Sequence, residues 1–288
     1  MYLADKWKDY KLLDACGGEK LEYWGEYLLR RPEPQAVWAV KSENEKWNRT
    51  DAWYHRSNTG GGKWQYFKKL PERWTVNYGK LTFNIKPMGF KHTGLFPEQA
   101  VNWDWFSELI RNAKRPIRVL NLFAYTGGAT VAALSAGAEV VHVDASKGMV
   151  TWAKENVIAS RLGERPVRYI VDDVVKFVKR EQRRGRQYDA IIMDPPSYGR
   201  GPSGEVWKIE DELYPLVEEC IKILSDNPLF FLINSYTTGL SAQILINIMS
   251  MTLVKKYGGK AEADEIGIPM QSNGLVLPCG ISGRWENV

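Results

Sequence analysis

Cysteine is scarce in this chain: Cys16, Cys220 and Cys279 are scattered through 288 residues and form no Cys-x-x-Cys pair. An odd, dispersed set excludes a disulfide framework and a thiolate zinc site, so no metal is expected and a reducing cytoplasm is the natural setting. Long apolar runs are missing, so nothing approaches the ~20 residues that span a bilayer. The N-terminal Met-Tyr-Leu-Ala-Asp-Lys lacks the charged-then-apolar layout of a secretory signal. Neither sign of charge dominates; a net +5 and a pI near 8.9 permit a polyanionic partner without requiring one. The Gly-x-Gly-x-x-Gly fingerprint of dinucleotide binding is absent from the glycine-bearing turn at 124–128, and no internal repeat is seen. What remains is a chain with 44% hydrophobic residues, long enough for one large domain and a smaller one.

The two parts differ in character. Residues 1–100 hold seven of the twelve tryptophans, among them Trp24, Trp38, Trp47, Trp53, Trp64 and Trp74. Short segments at Tyr27–Arg31, Ala36–Val40, Tyr66–Lys69 and Lys80–Lys86 are broken by Gly, Pro and Asn, which predicts a small β-rich domain. Its aromatics read as the core of a thin β domain, although Arg49, Arg56, Lys63, Lys68 and Lys69 keep a stacking surface for RNA open. Residues 101–288 alternate strand and helix. Strands are expected at 116–123, 139–143, 167–171, 188–193 and 229–235, with helices at 129–136, 147–160, 173–184, 210–224 and 239–253. Residues 254–288 suit a closing antiparallel hairpin. Repeated βα units predict an α/β, doubly wound Rossmann-like sheet, mostly parallel.

Three strand ends carry acids. The strand ending at Phe123 runs into Ala124-Tyr125-Thr126-Gly127-Gly128, where glycine lets a backbone approach a ligand and a helix N-terminus offers free N–H groups. One glycine pair is a poor pyrophosphate cradle and suits a phosphate-free nucleoside bearing an amino-acid tail. Asp144 closes the next strand about where a ribose-binding acid sits, beside Ala145 and the helix-capping Ser146. Of Asp172 and Asp173, one accepts from an adenine amino group and the other caps a helix; Asp173 is assigned to adenine. The run Ile191-Ile-Met-Asp194-Pro195-Pro196-Ser197-Tyr198 stops a strand abruptly, since proline cannot donate to a ladder. Acid, stiffened backbone and nearby ring suit a flat, hydrogen-bonding base. Arg200, in a glycine-rich loop, reads as a phosphate ligand or a solvated loop residue. This pattern resembles the class I S-adenosylmethionine-dependent methyltransferases.

The likeness narrows. Val119–Gly128, Val143–Ser146, Asp172–Val174 and Met193–Ser197 resemble the bacterial 23S ribosomal RNA large-subunit methyltransferases, which include cytosine-C5 and guanine-N7 enzymes. Gly89–Gln99 is similar to that family's Lys-Thr-Gly-aromatic-aromatic-x-Asp-Gln element, with His92 in place of Lys and Ala100 in place of a frequent Arg. The resemblance implies S-adenosyl-L-methionine as cofactor, walled by Phe123, Ala124, Tyr125, Thr126 and Gly127. It places Asp144 on the ribose, Asp173 on adenine, and Thr93, Phe96 and Gln99 on the methionine side. Asp194 and Pro195 would face the methyl group, Tyr198 would stack on the base, and the acceptor would be RNA.

Carbon-5 of a pyrimidine needs a transient thiolate adduct, whereas a nitrogen needs only a positioned lone pair and a proton acceptor. Cys220 falls mid-helix and Cys279 lies near the C-terminus, and the loop after the fifth strand reads Ile233-Asn-Ser-Tyr-Thr-Thr238 without cysteine. Nitrogen is therefore favoured over cysteine-dependent carbon-5. The aromatic stands one residue beyond its usual place after the second proline. Other readings are a non-RNA acceptor, a non-catalytic RNA-binding factor on the same fold, and a nicotinamide oxidoreductase, which the lack of the glycine fingerprint at the 124–128 turn disfavours. The basic run Lys176–Arg186 reads as a solvated helix face.

Overall fold

The computed structural model describes residues 1–39, 45–57, 61–200 and 206–287, without the Arg200 side chain. The chain forms two compact units. One comprises Tyr2–Val101 with Gly267–Cys279, the other Asn102–Ile266 with Gly280–Val288 and Met1.

In the N-terminal unit, β1 (Tyr2–Leu3) precedes a five-stranded sheet of β2 (Tyr10–Cys16), β3 (Glu19–Trp24), β4 (Tyr27–Pro32), β5 (Ala52–Arg56) and β6 (Gly62–Tyr66), in that order. A separate ladder joins β7 (Trp74–Tyr78) and β8 (Leu81–Ile85). Gly17 and Gly18 sit at φ 55° and 79°, the left-handed pair that a tight hairpin demands, and they close β2 onto β3. Leu12, Leu21, Trp24 and Leu29 are buried. So is an ionic group: Glu22 accepts from Tyr10 Oη (2.8 Å) and pairs with Arg31, while Lys20 reaches Glu33 at 3.1 Å. Two expectations shift here. Residues 36–39 are not a strand, and Val40 lies outside the described residues. The strand expected at Tyr66–Lys69 instead ends at Tyr66, because pairing with β5 starts at Gly62, whose Cβ would meet the His55 carbonyl at 2.2 Å.

In the second unit, the strands are β9 (Arg118–Leu122), β10 (Glu139–Asp144), β11 (Val167–Val171), β12 (Ala190–Met193), β15 (Phe230–Ser235), β16 (Lys260–Pro269) and β17 (Val276–Glu286). They lie in the order β16-β17-β15-β12-β9-β10-β11. Pairings from β15 to β11 are parallel, and β17 runs antiparallel to β15. β9, β12 and β15 are almost wholly buried, as a sheet covered on both faces requires. The helices are α1 (Ala100–Asn112), α2 (Gly128–Ser135), α3 (Lys147–Ala159), α4 (Val174–Arg183), α5 (Ile209–Ile221) and α6 (Ala242–Met249). Helix α1 and the short hairpin of β13 (Tyr198–Arg200) with β14 (Val206–Lys208) were not expected from sequence. The helix expected from Gly239 begins at Ala242, after Ser241, and passes into a π-helical turn at Ser250–Val254. The architecture is the mostly parallel α/β sheet with a closing antiparallel hairpin, alongside a β-rich unit.

Candidate active site at the carboxyl edge of the parallel sheet

Register fixes the site. Leu122 of β9 stands opposite Val143 of β10 and Met193 of β12, and Met193 stands opposite Ile233 of β15. The next residues, Phe123, Asp144, Asp194 and Asn234, therefore form one row across four adjacent strand ends. Asp144 in turn pairs with Val171, so Asp172 and Asp173 continue the row beyond β11. This is the edge at which open parallel sheets receive ligands. A cavity of ≈ 400 Å³ lies at the opposite, amino edge, lined in part by Arg118, Glu139 and Asp189. Its charges are already satisfied by each other and by Arg115, so the chemistry belongs to the carboxyl edge.

The loop after β9 is held in an unusual shape. Phe123 and Tyr125 adopt φ 53° and 49°, the left-handed region that bulky residues avoid, and Gly127 follows at φ 80° as the N-cap of α2. Asp144 helps impose this shape: its carboxylate accepts the Tyr125 N–H (2.8 Å) and the Ser146 N–H (2.8 Å), tying loop to helix start. Burial raises its pKa, opposed by those two hydrogen bonds. Each carboxylate oxygen retains a lone pair for a ligand hydroxyl. Asn156 of α3 donates to the Thr126 carbonyl at 2.8 Å. A Cβ on Gly127 would lie 2.8 Å from the Ala153 Cβ, so glycine is required both by φ and by the close approach of α3. Ala124 and Thr126 are buried, whereas Ala145 and Ser146 are exposed; Ser146 caps α3, 3.5 Å from the Met149 N–H.

Beyond β11, Asp173 is the N-cap of α4 and accepts the Lys176 N–H at 2.8 Å. Asp172 accepts the Asp173 N–H at 2.8 Å and pairs with Arg180 at 2.5 Å. The capping role thus falls on the residue assigned to adenine from sequence.

Past Asp194, Pro195 is buried and Pro196 exposed, and the chain enters β13. Trp207 on β14 donates its indole N–H to the Pro196 carbonyl (2.6 Å), and its ring lies 5.5 Å from that of Phe123. The hairpin thereby joins the Pro-Pro corner to the loop after β9. Ser197 Oγ accepts from Thr237 Oγ1 at 2.6 Å, which fastens the corner to the loop after β15. Tyr198 is 52% exposed. The Arg200 backbone pairs with Val206, but the Arg200 side chain and the loop at 201–205 lie outside the described residues.

Thr93, Phe96 and Gln99 belong to the N-terminal unit. The Thr93 hydroxyl is fully buried with no hydrogen-bond partner, while Gln99 donates its N–H to the Phe96 carbonyl at 3.1 Å. Burial, then Arg31, Lys91 and Lys20, hold His92 down at about 4, so it is neutral and does not replace a lysine charge.

Several residues escaped the sequence reading. Asn121 donates to Thr130 (2.9 Å), and Thr130 meets His142 Nδ1 at 2.9 Å, a buried polar chain beneath the loop. That network is consistent with the Thr130 proton on Nδ1 and the imidazole proton on Nε2, which is buried with no partner. Burial lowers the His142 pKa to about 3. The signal was available: Asn121 and His142 are polar residues inside otherwise apolar strands. Asn234 likewise accepts from Asn102 (3.1 Å) and Ser282 (2.8 Å). Among the described residues, no helix is long and apolar enough to cross a membrane, and no cluster is placed to hold a metal.

A parallel sheet with a strained glycine loop after its first strand and acids on the following strand ends defines a nucleoside-cofactor-binding α/β protein. Comparison with known proteins gives the particular family. Residues 28–211 match the family described as "S-adenosylmethionine-dependent methyltransferase", and the chain belongs to that family. It is 37% identical to the SAM-dependent methyltransferase from Agrobacterium tumefaciens, with a TM-score of 0.93 over 99% of this chain and 93% of that one. A putative SAM-dependent methyltransferase from Streptococcus mutans shares the fold at 20% identity, with a TM-score of 0.72 over 98% of this chain and 76% of that one. Ribosomal RNA large subunit methyltransferase K/L of Shewanella sp. (strain ANA-3) is 32% identical over 168 residues, 56% of this chain and 23% of that protein. The same-named protein of Syntrophotalea carbinolica is 32% identical over 151 residues, 52% of this chain and 20% of its own length. The match therefore spans only about a fifth to a quarter of those relatives.

Proposed function

We propose that the protein methylates a base in RNA, within large-subunit ribosomal RNA, with S-adenosyl-L-methionine as donor. The acceptor atom is a ring or exocyclic nitrogen. The observation that carries this reading is the row Phe123–Asp144–Asp194 at one sheet edge, with the Asp-Pro-Pro corner beside the cofactor loop. The relatives' names support the RNA acceptor.

The donor pocket fits the family's cofactor. The loop Phe123, Ala124, Tyr125, Thr126 and Gly127 would wall it, and Asp144 would take the ribose hydroxyls with its remaining lone pairs. Asp173, with Asp172 beside it, would face adenine, and Ala145 and Ser146 would flank the ribose. Thr93, Phe96 and Gln99 would serve the methionine side, as the family resemblance implies. When bound, the cofactor supplies a methyl group on a sulfonium, open to in-line displacement by a lone pair. Asp194 and the Pro195 carbonyl would orient the acceptor amine and accept its hydrogens, with Tyr198 against the base and Arg200 near phosphate. The Pro196 carbonyl is committed to Trp207 and would hold the corner rigid.

A carbon-5 mechanism lacks its thiolate. Burial pushes the Cys220 thiol far up inside α5, and Cys279 belongs to the N-terminal unit, where burial raises its thiol as well. The reading further takes the protein to work in the cytoplasm, without metal or membrane. The test is transfer of tritiated methyl to ribosomal RNA, with nucleoside mass spectrometry of RNA from cells with and without the protein. A methylated nitrogen missing from the deletion strain is expected; an unchanged nucleoside profile would overturn the RNA assignment. Asp194→Ala should abolish transfer yet keep S-adenosylhomocysteine binding by calorimetry, whereas Asp144→Ala should lose that binding.

A further inference from the structure

The charge of this chain is unevenly spread. Residues 45–91 hold ten Lys and Arg against three Asp and Glu, a net +7, while the whole chain carries +5. The rest of the protein is therefore slightly acidic, and the excess of cations is confined to one stretch of the N-terminal unit.

The same stretch carries exposed rings. Some aromatics of the unit are core: Trp24, Trp47 and Tyr54 are 5% exposed or less. Tyr66, Phe67 and Phe90 are 53%, 57% and 61% exposed. Tyr66 ends an aromatic row that climbs from core to solvent. Tyr54 packs edge-on against Trp64 (5.4 Å), and Trp64 stacks beneath Tyr66 at 6.4 Å with 26° between planes. Trp64 is fixed by its indole N–H on the Met88 carbonyl (2.8 Å), which brings the segment carrying Phe90 against the same hairpin. An exposed ring backed by an immobile one is a stiff platform that loses little entropy when another flat group settles on it.

Cations flank the platform. Arg56, on the same face of the β5–β6 ladder as Tyr54 and Trp64, and Lys69, just past the strand, are exposed and pair with no carboxylate among the described residues; Lys68 lies 3.9 Å from Asp51, and Lys63 projects from the other face. Lysines on an edge strand such as β6 guard against strand pairing. That accounts for Lys63 but not for three solvent-facing rings beside unpaired charge. Lys91 is held below its ordinary pKa chiefly by burial, opposed by Glu33, with Lys20, Arg31 and Arg56 adding to the depression.

We infer that this face of the N-terminal unit is a docking surface for single-stranded RNA, with bases on Tyr66, Phe67 and Phe90 and phosphates on Arg56 and Lys69. Stacking on rings reads no sequence and cations read only the backbone, so the surface recruits unpaired RNA and leaves base choice to the Asp-Pro-Pro corner. The inference rests on the RNA reading above for its biological role, but the surface can be tested by itself.

The probe is a fluorescein-labelled oligouridylate of about twelve nucleotides, titrated with the full chain and followed by anisotropy at several salt concentrations. Tyr66→Ala should weaken binding by roughly tenfold or more, with melting temperature and S-adenosylhomocysteine affinity unchanged. Arg56→Gln with Lys69→Gln should flatten the log–log salt slope by about 1.4, whereas Lys63→Gln on the other face should leave it unchanged. Wild-type binding that Tyr66→Ala and Phe90→Ala leave intact, or equal competition by duplex DNA, overturns the surface. Failure to bind the oligonucleotide at low salt does the same, even where ribosomal RNA is still methylated. Oligonucleotide binding that follows these residues, in a protein that methylates no RNA, supports the surface and removes the acceptor assignment instead.

Discussion

Gly127 carries two independent constraints, a left-handed φ and a 2.8 Å approach to Ala153, so its replacement tests the cofactor loop directly. Gly127→Ala should cost about 2–4 kcal/mol, combining backbone strain with overpacking, read as a lower urea midpoint. An unchanged midpoint would mean that α3 can withdraw. Trp207 acts at the same scale but on a different quantity. Trp207→Phe keeps the ring against Phe123 and removes the hydrogen bond to Pro196. The expected result is a fall of about tenfold in methyl transfer, with S-adenosylhomocysteine affinity essentially unchanged; a loss of affinity instead would assign Trp207 to the cofactor pocket. Gly127 was legible as a loop glycine, because a strand running into a glycine pair is a local pattern. Trp207 was not, since its importance comes from a hairpin whose partners lie far apart in sequence. The adenine acid shows a similar limit. Adjacent aspartates carry identical chemistry, and only φ and ψ at the helix start decide that Asp173 is the cap.

Among elements, the parallel strands were the most readable. Continuous apolar runs such as Ala190–Met193 and Phe230–Ser235 fall within the expected spans, because a strand buried on both faces has no alternation to blur. The N-terminal sheet was harder. Its strands mix buried charge with apolar residues: Glu22 disguises β3 as a surface segment, although β4, with Arg31, falls where Tyr27–Arg31 was expected. Yet these charges make the sheet titrate. Burial alone would raise the Glu22 pKa, but Arg31 and Lys20 override it and hold the carboxylate at about 2. A folded-state pKa below the unfolded one stabilises the protein above about pH 4.5, and that stabilisation is lost as pH falls toward 2. Glu22→Gln should cost about 3 kcal/mol near neutrality by leaving Arg31 buried without its charge partner. The variant's unfolding free energy should then fall less steeply than the parent's between pH 4.5 and 2, the remaining slope coming from Glu33, Glu219 and Asp264. A parallel acid dependence in both proteins would assign the titration to other carboxylates.

At the scale of the molecule, the boundary between the units does not follow chain order. Gly267–Cys279, the tip of the β16–β17 hairpin, belongs with residues 2–101. The contacts are specific: Gln271 and Ser272 donate their N–H groups to the carbonyls of Leu12 (3.0 Å) and Leu13 (2.9 Å), and Ser272 Oγ donates to Asp14 at 2.9 Å. They meet β2 at its bulge between Leu12 and Asp14, where the extra residue breaks the ladder. Composition separates the tryptophan-rich first hundred residues from the rest, but it cannot show that a tip some 250 positions later completes their sheet. A chain of residues 1–101 alone would leave those two carbonyls without the tip's N–H groups and would take the Ser272 hydroxyl from Asp14, which keeps Trp47 and Ala15 as donors. Each unsatisfied buried group costs roughly 1–3 kcal/mol, enough together to unfold a small β unit. Residues 1–101 should therefore be protease-sensitive with poorly dispersed amide resonances. Joining residues 267–279 to them through a flexible linker should restore dispersion and resistance, whereas the same linker carrying a scrambled segment should not. A well-folded 1–101 fragment would show that the hairpin tip merely rests on a sheet that is complete without it.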